Sequence, residues 1–158
     1  AWNKERVDLQ TPSWKIFANK KYKGRMTMLN DIREVIGAAL ITLGYSVNTT
    51  NLDEINQARD LVIEWKRQLA KFESEQYKFG LATNEYYVTQ CYNTDIGQLQ
   101  EEVPNIRFGM PIEGGIVTFD MVAMPSDAVN VDLAYAFMNY LLDPNVAARN
   151  LEQTKGYT

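Results

Sequence analysis

The chain of 158 residues contains no histidine and one cysteine, Cys91. Without histidine, the Ser-His and Cys-His pairs of many hydrolases are absent, and a transition-metal site is disfavoured. A single cysteine excludes both an internal disulfide framework and a multi-cysteine metal site. Cys91 lies in an apolar run, so we interpret it as a buried structural thiol rather than a nucleophile. We therefore predict no catalytic residue, no metal and no cofactor.

Long apolar runs are also absent. No stretch approaches eighteen consecutive apolar residues, so no transmembrane helix is predicted. Residues 1–6 are mostly polar or charged and do not resemble a signal peptide. The chain is mildly acidic, with 20 acidic and 16 basic side chains. This balance argues against a nucleic-acid partner and is compatible with a cationic ligand.

Strand and helix signals alternate along the chain, which predicts an α/β fold with a mainly parallel central sheet flanked by helices. Apolar residues repeat every three or four positions in the segments expected to be helical, which are 31–43, 52–70, 95–102, 131–142 and 144–153. The segments expected to be strands are 25–29, 86–92, 106–110 and 116–124.

The predicted strand 116–124 carries one carboxylate, Asp120, in its middle. A carboxylate inside an otherwise buried strand is costly unless a cation or a hydrogen-bond donor meets it. A strand interior also gives Asp120 no capping function. Asp120 is therefore a candidate binding residue.

Three further acids lie at predicted helix starts, where an acid can either cap the helix or contact a ligand. Asp31 and Glu34 have the spacing of a capping box, with an acid at the N-cap and Glu at the third helical position. Asp95 is interpreted as an N-cap in the same way. Paired carboxylates could also indicate a glycosidase, but nothing in the sequence sets their separation. Together with the absence of histidine, this favours a binding protein, and we predict that the protein is not an enzyme.

The order of motifs in residues 108–144 resembles one family. It runs Pro-x-Glu-Gly-Gly, apolar strand with Asp120, Ala-x-Pro, helix and Leu-Leu-x-Pro. Residues 43–50, Leu-Gly-Tyr-Ser-Val-Asn-Thr-Thr, match a loop of the same family. The chain resembles the polyamine-binding proteins of bacterial ABC transporters, which bind spermidine or putrescine in the periplasm and have the type II solute-binding fold.

The resemblance implies a set of ligand-binding residues, namely Asp31, Glu34, Tyr92, Asp95, Asp120 and Tyr157. Asp31 and Glu34 match an Asp-x-x-Glu that contacts ligand amines in spermidine-binding members. The turn from Tyr92 to Asp95 matches one that gives an aromatic face and a carboxylate. Tyr92 replaces the family's tryptophan and Thr118 an aromatic residue, so the aromatic surface is smaller here. The choice between spermidine and putrescine stays open.

Family members are about twice as long, and their ligand lies between two lobes joined by a hinge. The resemblance implies that residues 1–120 form the second, C-terminal lobe. Residues 121–158 would be a returning strand and helices that pack on the first lobe, which is missing here. The implied function is polyamine capture for an ABC importer, with the permease as partner and a periplasmic or lipid-anchored location.

Two alternatives accompany this interpretation. One is a lobe that binds another organic cation or an amino acid. The other is a chain that acts mainly by self-association as a homodimer, through apolar surface that the missing lobe would cover. The candidate residues for that surface are the 121–124 strand with Leu133, Phe137, Tyr140 and Leu141.

Overall fold

The computed structural model describes residues 1–154, and it divides the chain into two compact units. The first unit is Ala1–Ile116 and the second begins at Val117. The assignment of residues 1–120 and 121–158 to different lobes of a larger protein stays a prediction.

The first unit contains a five-stranded mixed sheet with the order β3-β2-β4-β1-β5. The strands are β1 (Trp2–Asn3), β2 (Met26–Met28), β3 (Lys71–Phe72), β4 (Val88–Thr89) and β5 (Ile106–Arg107). β2 pairs in parallel with β3 and with β4, whereas β1 is antiparallel to β4 and β5. Four of the five strands therefore run in one direction, which confirms the predicted α/β fold with a mainly parallel sheet.

Four α-helices of the first unit follow strands or pack beside them: α1 (Ile32–Thr42), α2 (Leu52–Lys66), α3 (Tyr77–Ala82) and α4 (Asn93–Glu102). Gly44 follows the C-cap of α1, and its positive φ of 82° suits glycine after a helix C-terminus. α2 ends four residues before the predicted position 70. The backbone N–H of Ala70 bonds to the carbonyl of Met26 at 2.8 Å, so the chain has already joined the sheet.

The core of the first unit consists of two clusters of buried side chains. One lies around α1 and α2, where the Trp65 ring is 6.0 Å from Phe17, which in turn is 6.2 Å from Trp14. The other is formed around α3 and α4 by Leu29, Tyr77, Leu81, Ile96, Leu99 and Ile106. Burial of each large side chain contributes about 1.5–3 kcal/mol. Trp65 is a core residue, since its exposure is 1%.

The second unit holds α5 (Val131–Leu141) and α6 (Pro144–Thr154), both close to their predicted bounds. The predicted strand 116–124 is wrong, because the structure gives these residues no strand. A strand forms only where a neighbouring strand accepts its backbone hydrogen bonds, and the five paired strands do not include this segment. Within the described residues, no helix is long and apolar enough to cross a membrane.

Candidate functional site

The carboxyl ends of β3, β2 and β4 lie at one edge of the sheet, because these three adjacent strands are parallel. Neighbouring strands are about 5 Å apart, so the loops that follow them are close together. In open α/β sheets, ligands bind outside this edge. We call it the carboxyl edge.

Polar contacts connect the loops of the carboxyl edge. The Gln90 side chain, after β4, donates to the carbonyl of Glu34 at 3.2 Å and accepts the backbone N–H of Leu29 at 3.4 Å. The hydroxyl of Ser74, after β3, accepts the backbone N–H of Asn30 at 2.9 Å. These bonds set the position of the first turn of α1 relative to the β3 and β4 loops. Gln90 was not predicted as a site residue, because its only signal in the sequence is a polar residue directly after an apolar strand.

Asp31 and Glu34 lie together in the first turn of α1. The carboxylate of Asp31 accepts the backbone N–H groups of Arg33 and Glu34 at 2.8 and 3.1 Å, so the predicted N-cap at Asp31 is confirmed. Partial burial, and then the charge of Asp31, raise the pKa of Glu34 above its ordinary value, while Arg33 lowers it. The guanidinium of Arg33 donates to the side chain of Asn48 at 2.9 Å. The two acids thus form a partly buried, electronegative pair.

Exposed apolar side chains also lie at the carboxyl edge. Ile32 occupies the first position of α1 and is 83% exposed. Tyr92, at the N-cap of α4, is 41% exposed. Both helices start at the carboxyl edge, so an apolar and an aromatic side chain accompany the carboxylates there.

Asp95 lies in the first turn of α4 as its third residue, so the predicted N-cap at this position is wrong. The helix starts two residues earlier than predicted. The carboxylate of Asp95 accepts a hydrogen bond from the hydroxyl of Tyr77. It also forms an ion pair with Lys78, whose Nζ lies 3.0 Å from Oδ1. Burial, and then the bond to Asp95, raise the pKa of Tyr77 far above its ordinary value. Asp95 is thus at the carboxyl edge but already paired.

Glu73 is a further acid at this edge that the sequence analysis did not identify. It directly follows β3 and is buried. Its carboxylate accepts the backbone N–H of Gln76 and lies 3.6 Å from Lys71 Nζ. These contacts orient the turn into α3, so Glu73 is a structural group of the site.

The last two predicted residues are Asp120 and Tyr157. Asp120 belongs to the second unit and is exposed, so the buried strand that first suggested its function does not form in this structure. Tyr157 lies outside the described residues. The structure therefore brings Asp31, Glu34, Tyr92 and Asp95 to one edge, and the contribution of Asp120 and Tyr157 to a ligand site stays a prediction.

The acidic side chains of the carboxyl edge restrict the chemistry that it can support. Within residues 1–154, no three histidine, cysteine, aspartate or glutamate side chains come together in a way that could hold a metal ion. Burial raises the pKa of the Cys91 thiol, so it stays protonated at neutral pH and is a poor nucleophile. An acidic pair with adjacent apolar surface suits an organic cation.

Known proteins similar to this chain are transport proteins. The family model described as bacterial extracellular solute-binding protein matches residues 1–158. A putrescine/cadaverine-binding protein of Pseudomonas aeruginosa is 28% identical over 96% of this chain and 47% of its own length. A spermidine/putrescine-binding periplasmic protein of Salmonella typhimurium is 31% identical over 98% of this chain and 44% of its own length.

A solved structure is also similar to nearly the whole of this chain and to half of its own length. The TpPotD lipoprotein of Treponema pallidum has a TM-score of 0.86 at 34% identity, covering 98% of this chain and 50% of that protein. The chain thus spans about half the length of the curated relatives it matches. The match over its whole length, together with the shared α/β fold, means that this chain belongs to the family of bacterial extracellular solute-binding proteins.

Proposed function

We propose that the carboxyl edge of this chain binds an ammonium group of a polyamine and forms part of the binding site of an ABC importer's substrate-capture protein. The observation that carries the proposal is the pairing of Asp31 and Glu34 in one partly buried helix turn, with the pKa of Glu34 raised. A bound ammonium would stabilise both carboxylates in their charged forms. The names of the relatives, which bind putrescine, cadaverine or spermidine, support the same ligand class.

The attraction of two carboxylates for a cation at the start of α1 is larger than the repulsion by the helix dipole. The dipole disfavours a positive charge at an N-terminus by about 0.3–1 kcal/mol. An ammonium about 4 Å from one carboxylate gains roughly 4 kcal/mol at an effective dielectric constant near 20, before desolvation is subtracted. Two carboxylates therefore outweigh the dipole. The formal net charge of −4 also favours the approach of a cation.

The apolar neighbours suit the rest of a polyamine. Its ammonium groups are joined by methylene chains, which are stabilised by contact with side chains such as Ile32 and Tyr92. An aromatic face contributes about 0.5–2 kcal/mol when a cation lies over it. We assign Asp31 and Glu34 to the ammonium and these two neighbours to the methylenes. Asp120 and Tyr157 would add further contacts to the ligand in the whole protein.

The partners and location of the whole protein follow the same proposal. The relatives are periplasmic binding proteins or a lipoprotein. We propose an extracytoplasmic location, periplasmic or lipid-anchored, for the protein that contains this chain. A second lobe would complete the site, and the closed form would dock on the permease of an ABC transporter through a hinge motion.

An NMR titration tests the proposed ligand class. The labelled chain is titrated at low salt with spermidine, with putrescine and with 1,4-butanediol, which has the carbon chain of putrescine without its charges. We expect both amines to shift signals of Asp31, Glu34 and Tyr92, and the diol to shift none of them. Equal shifts with the diol, or no shifts with either amine in a well-folded spectrum, would remove the polyamine assignment.

One alternative has support from a specific observation. In α5, the side chains of Leu133, Phe137 and Tyr140 are all more than half exposed. Exposed apolar side chains favour association. If self-association is the main property of the chain, sedimentation at increasing concentration will show a dimer. A clean monomer would exclude the homodimer.

A further inference from the structure

The carboxylate of Asp95 is bonded by two neighbouring residues of this same chain. Tyr77 directs its hydroxyl to Oδ2, and Lys78 places its ammonium 3.0 Å from Oδ1. Both donors lie at the start of α3, whereas Asp95 lies in the first turn of α4. Each oxygen of this carboxylate therefore has a donor from the protein itself.

This group lies at the same edge of the sheet as the acidic pair. α1 follows β2 and α4 follows β4, and the two strands are adjacent and parallel, so both helices begin at the carboxyl edge. β3 lies on the other side of β2, and the loop after β3 leads to α3. α3 thus brings the ammonium of Lys78 to an edge where ligand ammonium groups would bind.

We propose that Lys78 acts as a built-in ammonium, which fills the position of a second ligand amine at Asp95 and so determines specificity. This inference rests on the proposed function, since it concerns the same polyamine site. A ligand ammonium at Asp95 would have to displace Lys78 or lie beside its positive charge. The site therefore binds amines through Asp31 and Glu34 and not through Asp95. Ligands that need a carboxylate at both positions are disfavoured.

The exposure of the Lys78–Asp95 ion pair indicates that Lys78 is not needed for the stability of the fold. The side chain of Lys78 is 39% exposed and that of Asp95 is 30% exposed. Ion pairs with this degree of exposure contribute little to stability. Tyr77, in contrast, is fully buried and keeps Asp95 oriented without the lysine. Removal of the Lys78 ammonium therefore leaves the fold intact and the carboxylate in place.

The test compares two methionine variants, which remove one positive charge each and retain an unbranched side chain. Lys78→Met frees one oxygen of Asp95. Lys23→Met is the matched control, because Lys23 is exposed and precedes β2, at the opposite end of the strands. Each chain is titrated with putrescine while the side-chain carboxyl signals of Asp31, Glu34 and Asp95 are followed by NMR.

We expect putrescine to shift Asp95 in Lys78→Met but in neither the wild type nor Lys23→Met. The affinity of Lys78→Met should rise about tenfold or more, which corresponds to one added charge-assisted contact. The gain should disappear when Asp95→Asn is added. If Lys78→Met titrates like Lys23→Met, with Asp95 unmoved, the inference is wrong.

The same data distinguish this inference from the proposed function. Absence of shifts at Asp31 and Glu34 in every chain would contradict the proposed amine site. A shift of Asp95 in Lys78→Met alone would still show that Lys78 occupies an amine-binding carboxylate. Shifts at Asp31 and Glu34 with an unmoved Asp95 in Lys78→Met would support the proposed function and contradict the assignment of Lys78.

Discussion

Asp31 combines a helix cap with a proposed ligand contact, and two substitutions separate these functions. Asp31→Ala removes the acceptor for two backbone N–H groups of α1, so the free energy of unfolding should fall by about 0.5–2 kcal/mol. Asp31→Asn retains an acceptor oxygen and should change stability by less than about 0.5 kcal/mol. Urea denaturation measures both. Equal losses in the two variants would show that the charge, and not the cap, carries the stability.

Glu34 should make stability depend on pH in an uncommon direction for a carboxylate. Its folded pKa is raised by partial burial and by Asp31, so the folded chain holds its proton at pH values where the unfolded chain has lost it. Its contribution to stability is present at low pH and falls as pH rises from the unfolded to the folded pKa. Glu34→Gln should remove this fall and be the more stable protein at pH 7.

Denaturation midpoints between pH 4 and pH 7 measure this effect, with Glu5→Gln as the control because Glu5 is exposed and far from α1 in sequence. The two variants should differ in the slope of stability with pH. If Glu34→Gln and Glu5→Gln give parallel curves, the assigned environment of Glu34 is wrong.

At the level of elements, the contact between α3 and Tyr86 should be the least tolerant of added volume. A Cβ on Gly80 of α3 would overlap the ring of Tyr86, which is only 3% exposed and has no room to move. Gly80→Ala should therefore cost about 1–3 kcal/mol through overpacking. The loss should appear in thermal and urea unfolding alike.

Gly37→Ala in α1 is the matched control for this prediction. Its Cβ would meet the end of the Ile116 side chain, which can rotate away. The gain in helix propensity of up to about 1 kcal/mol should offset the remaining strain. A loss for Gly37→Ala as large as that for Gly80→Ala would contradict the difference in packing that we describe.

The longer helices were predictable because their signals are local. Apolar spacing, an acid at the cap and a glycine at the end define α1 within the sequence itself. The predicted strands 25–29, 86–92 and 106–110 contain β2, β4 and β5, but the observed strands have only two or three residues each, so alternation could not predict their bounds. β1 was missed because it enters the sheet through antiparallel pairing with strands more than 80 residues away in sequence.

The strand at 116–124 was predicted but does not form, because its signal is local and its pairing is not. Its apolar composition is typical of a strand, but a strand also needs a partner for its backbone, and composition cannot indicate whether one is present. Phe119 and Met121 are 85% and 87% exposed as a result.

The candidate site was predictable only where its residues have local sequence signals. Asp31, Glu34 and Asp95 lie near helix starts, which the capping signals reveal. The pairing of Asp95 with Lys78 was not predictable, since the two residues are 17 positions apart and the sequence analysis did not identify α3. The exposure of Ile32 at the carboxyl edge was also not predictable, because helical periodicity places it on the buried face.

For the molecule as a whole, the described unit offers one acidic pair, since the carboxylate of Asp95 is already bonded within the chain. Each charge-assisted hydrogen bond contributes about 1.5–3 kcal/mol, so the two contacts at Asp31 and Glu34 correspond to weak binding. The chain also spans about half the length of its curated relatives. We expect dissociation constants weaker than micromolar for the chain alone, and weaker still at high salt because screening reduces the attraction.

The most direct test of the account is the dissociation constant of spermidine for the wild type and for Asp31→Asn/Glu34→Gln, measured by NMR titration at low salt. We predict weak, saturable binding to the wild type, with shifts at the start of α1, and loss of those shifts in the double variant. Unchanged binding by a folded double variant would contradict the claim that these two carboxylates bind the ammonium group.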